Sequence, residues 1–348
     1  MKNVLEWLET TVEKYPDKPA FSDTECNITF AQVYDIARNT GAYLIEQLGV
    51  DRTPVAVFAG RKMVTPAYFL GVVYAGRPYA PIDASLPDKR IEKILENLRP
   101  RAIVADRESR EHVESIVDEL AKAEGFDRPQ IFIAEDISRF EQVACADSNC
   151  KISESAGDAV TDSENDTDGG VVAGCAGKTD DSSLEKLATV RRQMSMTDPL
   201  YIIYTSGSTG NPKGVMTSHL SLMTYINAYC DVMHIEESDV LGNQSPLDYI
   251  AAIRDIYLPL KTGCSTAIIP KEYFMEPNAL FDYMNDKKVS SVGWSVSAFT
   301  ILTSLGAFEE VGLKSLRKIC FSGSVMPCRV LRKWQENLPE AHFVNQYG

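Results

Sequence analysis

Thr205, Ser206, Ser208 and Thr209 stand beside Gly207, Gly210 and Gly214 and a single cation, Lys213, in the stretch Tyr204-Thr205-Ser206-Gly207-Ser208-Thr209-Gly210-Asn211-Pro212-Lys213-Gly214. Residues of these types suit the holding of a polyphosphate. Hydroxyls and backbone N–H groups donate to phosphate oxygens, glycine permits backbone conformations closed to other residues, and the lysine supplies charge. The Walker loop ends in Gly-Lys followed by Ser or Thr. Here Pro212 precedes Lys213 and Gly214 follows it, which disfavours a P-loop kinase or ATPase. A plain Ser/Gly linker is the structural alternative. Against a linker stands the β-branched and aromatic run Leu200-Tyr201-Ile202-Ile203-Tyr204, which reads as a buried strand. With a helix expected over Leu220–Val232, strand, loop and following helix are predicted to form an anion nest.

The elements that must carry this loop follow an α/β pattern. Strands are predicted at Pro54–Phe58, Ala102–Val104 and Gln130–Ile133, separated by helical stretches around Pro66–Tyr74, Lys89–Leu98 and Glu111–Ala123. From Cys145 to Ser183 the chain turns rich in Asp, Ser, Gly, Thr and Ala and nearly loses its large apolar residues. That stretch reads as a flexible acidic insertion, either a solvated excursion or a regulatory or partner-binding element. A helix around Leu184–Arg192 leads back into the phosphate-loop strand. Further strands are expected at Ser265–Ile269, Val289–Trp294 and Lys318–Phe321. The organisation predicted is a first α/β subdomain over 1–144, the insertion over 145–183, and a second α/β subdomain over 184–348, with a second sheet, or a second half of the domain, beginning near Thr197.

At 348 residues the chain can bury a large core in two or three lobes. A formal charge of −14 disfavours nucleic acid or an anionic membrane as partner. No apolar run is long enough to span a bilayer and the start lacks a signal-peptide core, so a cytoplasmic protein is expected. The eight cysteines contain no CxxC pair and read as reduced thiols, with no metal site.

The stretch Tyr204–Val215 is similar to the signature of the adenylate-forming (AMP-binding) superfamily, which includes acyl-CoA synthetases, luciferases and nonribosomal-peptide adenylation domains. Ala75-Gly76-Arg77-Pro78-Tyr79-Ala80-Pro81-Ile82-Asp83 with Leu86-Pro87-Asp88-Lys89-Arg90-Ile91, and the earlier Ile28-Thr29-Phe30-Ala31-Gln32-Val33, resemble core motifs of amino-acid adenylation domains and D-alanine-activating ligases. Taken as residues alone, the earlier motif is a strand entering a helix and the later one a turn with a proline-initiated helix. The resemblance implies an α/β fold, the large N-terminal domain of these enzymes, with two packed α/β sheet subdomains and a small β subdomain. It implies attack of a carboxylate on the α-phosphorus of ATP, release of pyrophosphate, and transfer of the acyl group to the thiol of a pantetheinylated carrier protein or of CoA. Thr205 and Lys213 would be the catalytic contacts, and Thr205, Ser206, Gly207, Ser208, Thr209, Gly210 and Lys213 would hold the terminal phosphates. Gly323 would let the nucleotide approach the backbone, Asn345 would bond adenine, and Tyr347 would stack on it, beside Gly348. In the family an acidic residue that helps hold Mg²⁺ follows in a Pro-Thr-Glu continuation, here expected beyond Gly348. The alternative is a nucleotide-binding domain or scaffold without turnover.

In amino-acid adenylation domains a Phe-Asp pair enters a helix and the aspartate meets the substrate's α-ammonium. Matching Asn243–Pro246 and Thr262-Gly263 without gaps places Tyr249 and Ile250 there, so the amine anchor is missing. Asp248 either substitutes for it or is an ordinary turn residue. Arg254 lies one helical turn beyond Ile250, and Trp294, Ser322 and Gln346, with Ala251 and Cys320 beside them, would complete the pocket. An arginine in a closed pocket is costly unless it meets an anion. The substrate is therefore expected to carry a second acidic or strongly polar group, unless Arg254 simply pairs with Asp255 or a surface acid. Trp294 is either a substrate wall or a core residue.

Overall fold

The computed structural model describes residues 2–138, 181–206 and 211–346. Most of the predicted insertion, Gly207 to Gly210, Tyr347 and Gly348 lie outside the described residues. The strands, numbered in chain order, form two sheets. The first runs β6 (Gln130–Ile133), β5 (Ala102–Ala105), β3 (Val55–Ala59), β4 (Tyr79–Asp83), β7 (Pro199–Ser206) and β8 (Pro212–Ser218) in spatial order. Only the β7–β8 pair is antiparallel. The second runs β13 (His342–Asn345), β12 (Lys318–Ser322), β11 (Ser291–Ser295), β9 (Val240–Asn243), β10 (Ser265–Ile268), β1 (Pro19–Ser22) and β2 (Asn27–Thr29), antiparallel only at β1–β2.

Helices on the sheet faces explain the composition of the strands. They run α1 (Leu5–Lys14), α2 (Phe30–Leu48), α3 (Thr65–Tyr74), α4 (Asp88–Leu98), α5 (Arg110–Leu120), α6 (Ala134–Ser138), α7 (Asp181–Gln193), α8 (His219–Met233), α9 (Ile253–Thr262), α10 (Pro277–Asp286), α11 (Val296–Ser304) and α12 (Cys328–Asn337). A parallel strand covered on both faces carries an unbroken apolar run, as Val55–Ala59 and Ala102–Ala105 do, every residue of both being buried. The motif around Ile28 is a strand entering a helix, as its residues imply. Thr29 and Gln32 form a reciprocal capping box that starts α2 at Phe30. Helix α3 is buried along its whole length, and it approaches α2 so closely that a Cβ at Gly71 would lie 2.5 Å from Thr40 Cβ. Among the described residues no helix is long and apolar enough to cross a membrane.

Three expectations are corrected. The second sheet does not begin near Thr197: β7 and β8 extend the first sheet, while β1 and β2 join the second through parallel pairing of β1 with β10. Sheet membership is set by such long-range pairing, which a local pattern does not carry. The turn read around Ala75–Asp83 is real at Gly76, whose φ is +77°, but it is followed by a strand, β4, that contains Pro81. The ladder from β4 to β7 is limited to Tyr79 and Tyr201, before Pro81, which has no N–H to extend it. Finally, the expected small β subdomain has no counterpart as a third sheet among the described residues.

Helix α8 opens with His219, 1% exposed, whose Nδ1 accepts a hydrogen bond from the backbone N–H of Val4 at 3.5 Å. Burial pushes its pKa down to about 4. The unfolded chain, with an ordinary histidine near 6.5, then binds the extra proton first as pH falls. Stability should decline as pH drops from about 6.5 to about 4, by an amount on the order of 3 kcal/mol, and the contribution of this residue should level off below that window. Denaturant midpoints measured across it, for the protein and for His219→Gln, check this. A slope unchanged by the substitution would refute it.

Candidate active site

Strands β7 and β8 form a hairpin that places Thr205 opposite Lys213 and Ser206 opposite Pro212. The predicted strand–loop–helix order is corrected: β8 stands between β7 and α8, while Gly207 to Gly210 lie outside the described residues. Gly214 makes the hairpin close. A Cβ there would come within 2.8 Å of Ile202 Cγ2 and 3.1 Å of Tyr204 Cζ, so the missing side chain lets the Tyr204 ring lie over β8. The Tyr204 hydroxyl donates to Asn97 Oδ1 of α4 at 2.8 Å, and burial pushes its pKa up to about 12. The hairpin root is thus pinned to α4. Beyond this pin the side chains of Thr205 and Lys213 are exposed, and the Thr205 hydroxyl lies 3.5 Å from the Lys213 carbonyl. A hydroxyl-bearing residue and a lysine thus stand in register at the end of the described hairpin.

The parallel strands of the second sheet end in the other predicted nucleotide contacts. Gly323 follows β12 with φ +95°, a conformation that favours glycine. Asn345 ends β13, in register with Phe321. Between α8 and these strand ends lies a cavity of about 320 Å³. Cys320 and Gln346, named for the acid pocket, line it, together with Val344 and Asn345, the residue named for adenine. The Cys320 thiol donates to Gln346 Oε1, and the Gln346 amide donates to the Tyr225 hydroxyl, each at 3.5 Å. The opposite wall is α8, through Tyr225, Ala228, Tyr229, Val232 and Met233. The sequence reading missed these residues, although their three- and four-residue spacing marks one helix face.

Other predicted pocket residues fall elsewhere. Trp294 is 1% exposed, its indole N–H donates to the Gly242 carbonyl at 2.8 Å, and its ring packs against Phe274, Phe299 and Trp334. It is a core residue. Alternation along β11 turns its neighbour Gly293 to the other face. There Gly293 is in register with Cys320, which is in register with Val344. Tyr249 and Ile250 are exposed and Ala251 half-buried, at a short 3-10 turn (Ile250–Ala252) ahead of α9, and none of the three lines the cavity. Arg254, one turn on, is buried, so it does not share the surroundings of Ile250. Ser322, half-buried at the end of β12, is also outside the cavity wall. Asp248 neither caps the turn nor enters the cavity; burial and the nearby Asp83 carboxylate push its pKa up to about 6.

The Arg254 guanidinium lies against Gly293, with its centre 5.8 Å from the Tyr229 ring and Nε 3.4 Å from an Asp255 carboxylate oxygen. Burial opposes the charge, but Asp255 together with Tyr229, Tyr225 and Cys320 offsets this and raises the pKa, keeping the group protonated. Asp255 in turn accepts a hydrogen bond from Asn243 Nδ2 at 2.9 Å. Among the described residues no group of three or more His, Cys, Asp or Glu could hold a metal ion.

A hydroxyl-and-lysine hairpin on one sheet and glycine- and amide-tipped strand ends on the other define an adenylate-forming domain, and the family model for AMP-binding enzymes matches residues 8–348. The chain belongs to that family. It is similar to the D-alanine--D-alanyl carrier protein ligase of Bacillus licheniformis, with 26% identity over 343 residues, covering 97% of this chain and 57% of the relative. The same-named ligase of Bacillus thuringiensis (strain Al Hakam) is 27% identical over 346 residues, covering 99% and 58%. The chain thus spans a little over half the length of these curated relatives. Among solved structures, VinN in complex with L-aspartate superposes with TM-score 0.72 at 17% identity, covering all of this chain and 77% of that one. The nonribosomal peptide synthetase FmoA3 gives 0.74 at 19% identity, covering 99% of this chain and 31% of that one. At these identities the structural likeness concerns the fold.

Proposed function

We propose that this chain supplies the nucleotide- and acid-binding domain of a ligase that activates a carboxylic acid as its acyl-adenylate and passes it to a carrier-protein or CoA thiol. The observation that carries the reading is the β7–β8 hairpin, which sets Thr205 in register with Lys213 and Ser206 with Pro212. The carboxylate attacks the α-phosphorus of ATP and pyrophosphate leaves. No protein nucleophile is required, so the work of the chain is positioning and charge neutralisation. Lys213 balances charge on the β- and γ-phosphates, Thr205 and Ser206 donate to their oxygens, and Gly323 admits the nucleotide to the end of β12. Asn345 bonds adenine, while the cavity between α8 and the ends of β12 and β13 receives the acid. Thiol transfer is supported by the carrier-protein ligases among the relatives.

Ile250 stands where amino-acid adenylation domains carry an aspartate, so an α-ammonium group has no carboxylate waiting at that position. The reading therefore favours an acid defined by its distal end. Incubation with ATP, hydroxylamine and a panel of carboxylic acids tests the reading, because an acyl-adenylate is trapped as a hydroxamate. Acid-dependent hydroxamate supports it; nucleotide binding with no hydroxamate from any acid would favour the non-catalytic binding role.

A further inference from the structure

We infer that the acid carries a second carboxylate, and that Gly293 and Arg254 together select it. This rests on the adenylation reading and narrows its substrate. Arg254 is 4% exposed, its Nε has no hydrogen-bond partner, and Asp255 meets it at 3.4 Å as a charge contact. Another buried arginine of the chain is held differently. Arg77 donates from its terminal nitrogens to the carbonyls of Thr53, Leu48 and Gly49, the last at 3.0 Å, and pairs with Asp51. The Nε of Arg77 is equally without a partner, so the difference lies at the terminal nitrogens: carbonyls fill those of Arg77, whereas the polar contact found for Arg254 is its charge pair with Asp255.

Gly293 gives a second, independent observation. A Cβ there would lie 2.3 Å from Arg254 Nε and 2.5 Å from Cζ. Its φ is outside the left-handed region, so the backbone does not require glycine, and a glycine inside a strand weakens the strand. What it provides is a bare patch of β11 on which the guanidinium lies flat. Next to that patch are Cys320, in register with Gly293, and Tyr229, whose ring faces Arg254, and both line the cavity. None of the described residues lining the cavity is charged. Arg254 lies behind that wall, beside Tyr229 and already paired with Asp255, so a distal carboxylate would reach it as a second anion for the same guanidinium.

The test compares adipate with hexanoate, acids of matched chain length, in acid-dependent pyrophosphate exchange and in calorimetric binding with ATP present. The natural gene product should favour adipate by about tenfold or more, the size of one charge-assisted contact. Arg254→Met should bring the adipate-to-hexanoate ratio down to about one. That variant leaves Asp255 buried without its counter-charge, so Arg254→Met/Asp255→Asn is measured beside it and should give the same ratio. Gly293→Ala, which keeps the arginine but displaces its guanidinium, should also lower the ratio. A preference for hexanoate in the unaltered protein, or an adipate preference that persists in the double variant, overturns the inference while leaving adenylation standing. If ATP binds but no acid of either class is activated, the adenylation reading fails, and the inference falls with it.

Discussion

Trp294→Ala should lower the free energy of unfolding by about 3–5 kcal/mol, the range for emptying a large aromatic site in a packed core. The indole is enclosed by Phe274, Phe299 and Trp334, and its N–H is the donor to the Gly242 carbonyl of the neighbouring strand. Truncation would leave a void among three rings and remove the partner of a buried carbonyl, and both effects act in the same direction. Trp294→Phe should cost less, since it restores most of the volume but not the hydrogen bond. Denaturant midpoints at constant slope measure both. If Trp294 were a substrate wall, alanine would weaken acid binding while moving the midpoint by less than about 1 kcal/mol, a value typical of sites outside the core.

The second large effect concerns the hairpin. Lys213→Ala should weaken ATP binding by about 10- to 100-fold, since a charge-assisted bond to a phosphate contributes on the order of 1.5–3 kcal/mol. The side chain is exposed, so the melting temperature should hold. AMP affinity should hold as well, because AMP lacks the phosphates this lysine is placed to read. Calorimetric titration with both nucleotides separates these outcomes. Equal losses for ATP and AMP would mean that Lys213 supports the site as a whole, and no loss for either would remove the hairpin from the phosphate site.

Much of the fold was legible where a local rule operates. The apolar run Pro54–Phe58, the strand-into-helix motif at Ile28–Val33 and the helical stretch Lys89–Leu98 each carry their own signal, and they became β3, the β2–α2 junction and α4. Strands β4 and β8 were missed because Pro81 interrupts one and Pro212 and Gly214 open the other, residues that locally mark turns and only in the sheet prove tolerable. The candidate site was legible at its ends and not at its walls. Thr205, Lys213, Asn345 and Gln346 lie at or beside strand ends, while Cys320 lies within β12. Of the two roles open to Trp294 the structure shows the core one: along a strand a one-residue offset turns a side chain to the opposite face, so Gly293 holds the position beside Arg254 and Trp294 fills the core. Ile250 and Arg254 parted for a related reason. Their spacing suits an α-helix, but Ile250 belongs to a 3-10 turn that precedes α9, where the angular step between residues differs.

Exchange of labelled pyrophosphate into ATP by the natural gene product containing these residues tests the central claim most directly, because label can enter only if ATP is cleaved at the α-phosphorus and re-formed. The account predicts exchange that requires an added carboxylic acid and collapses in Lys213→Ala. Exchange indifferent to acid, or conversion of ATP to ADP and phosphate with no label entering ATP, would contradict it.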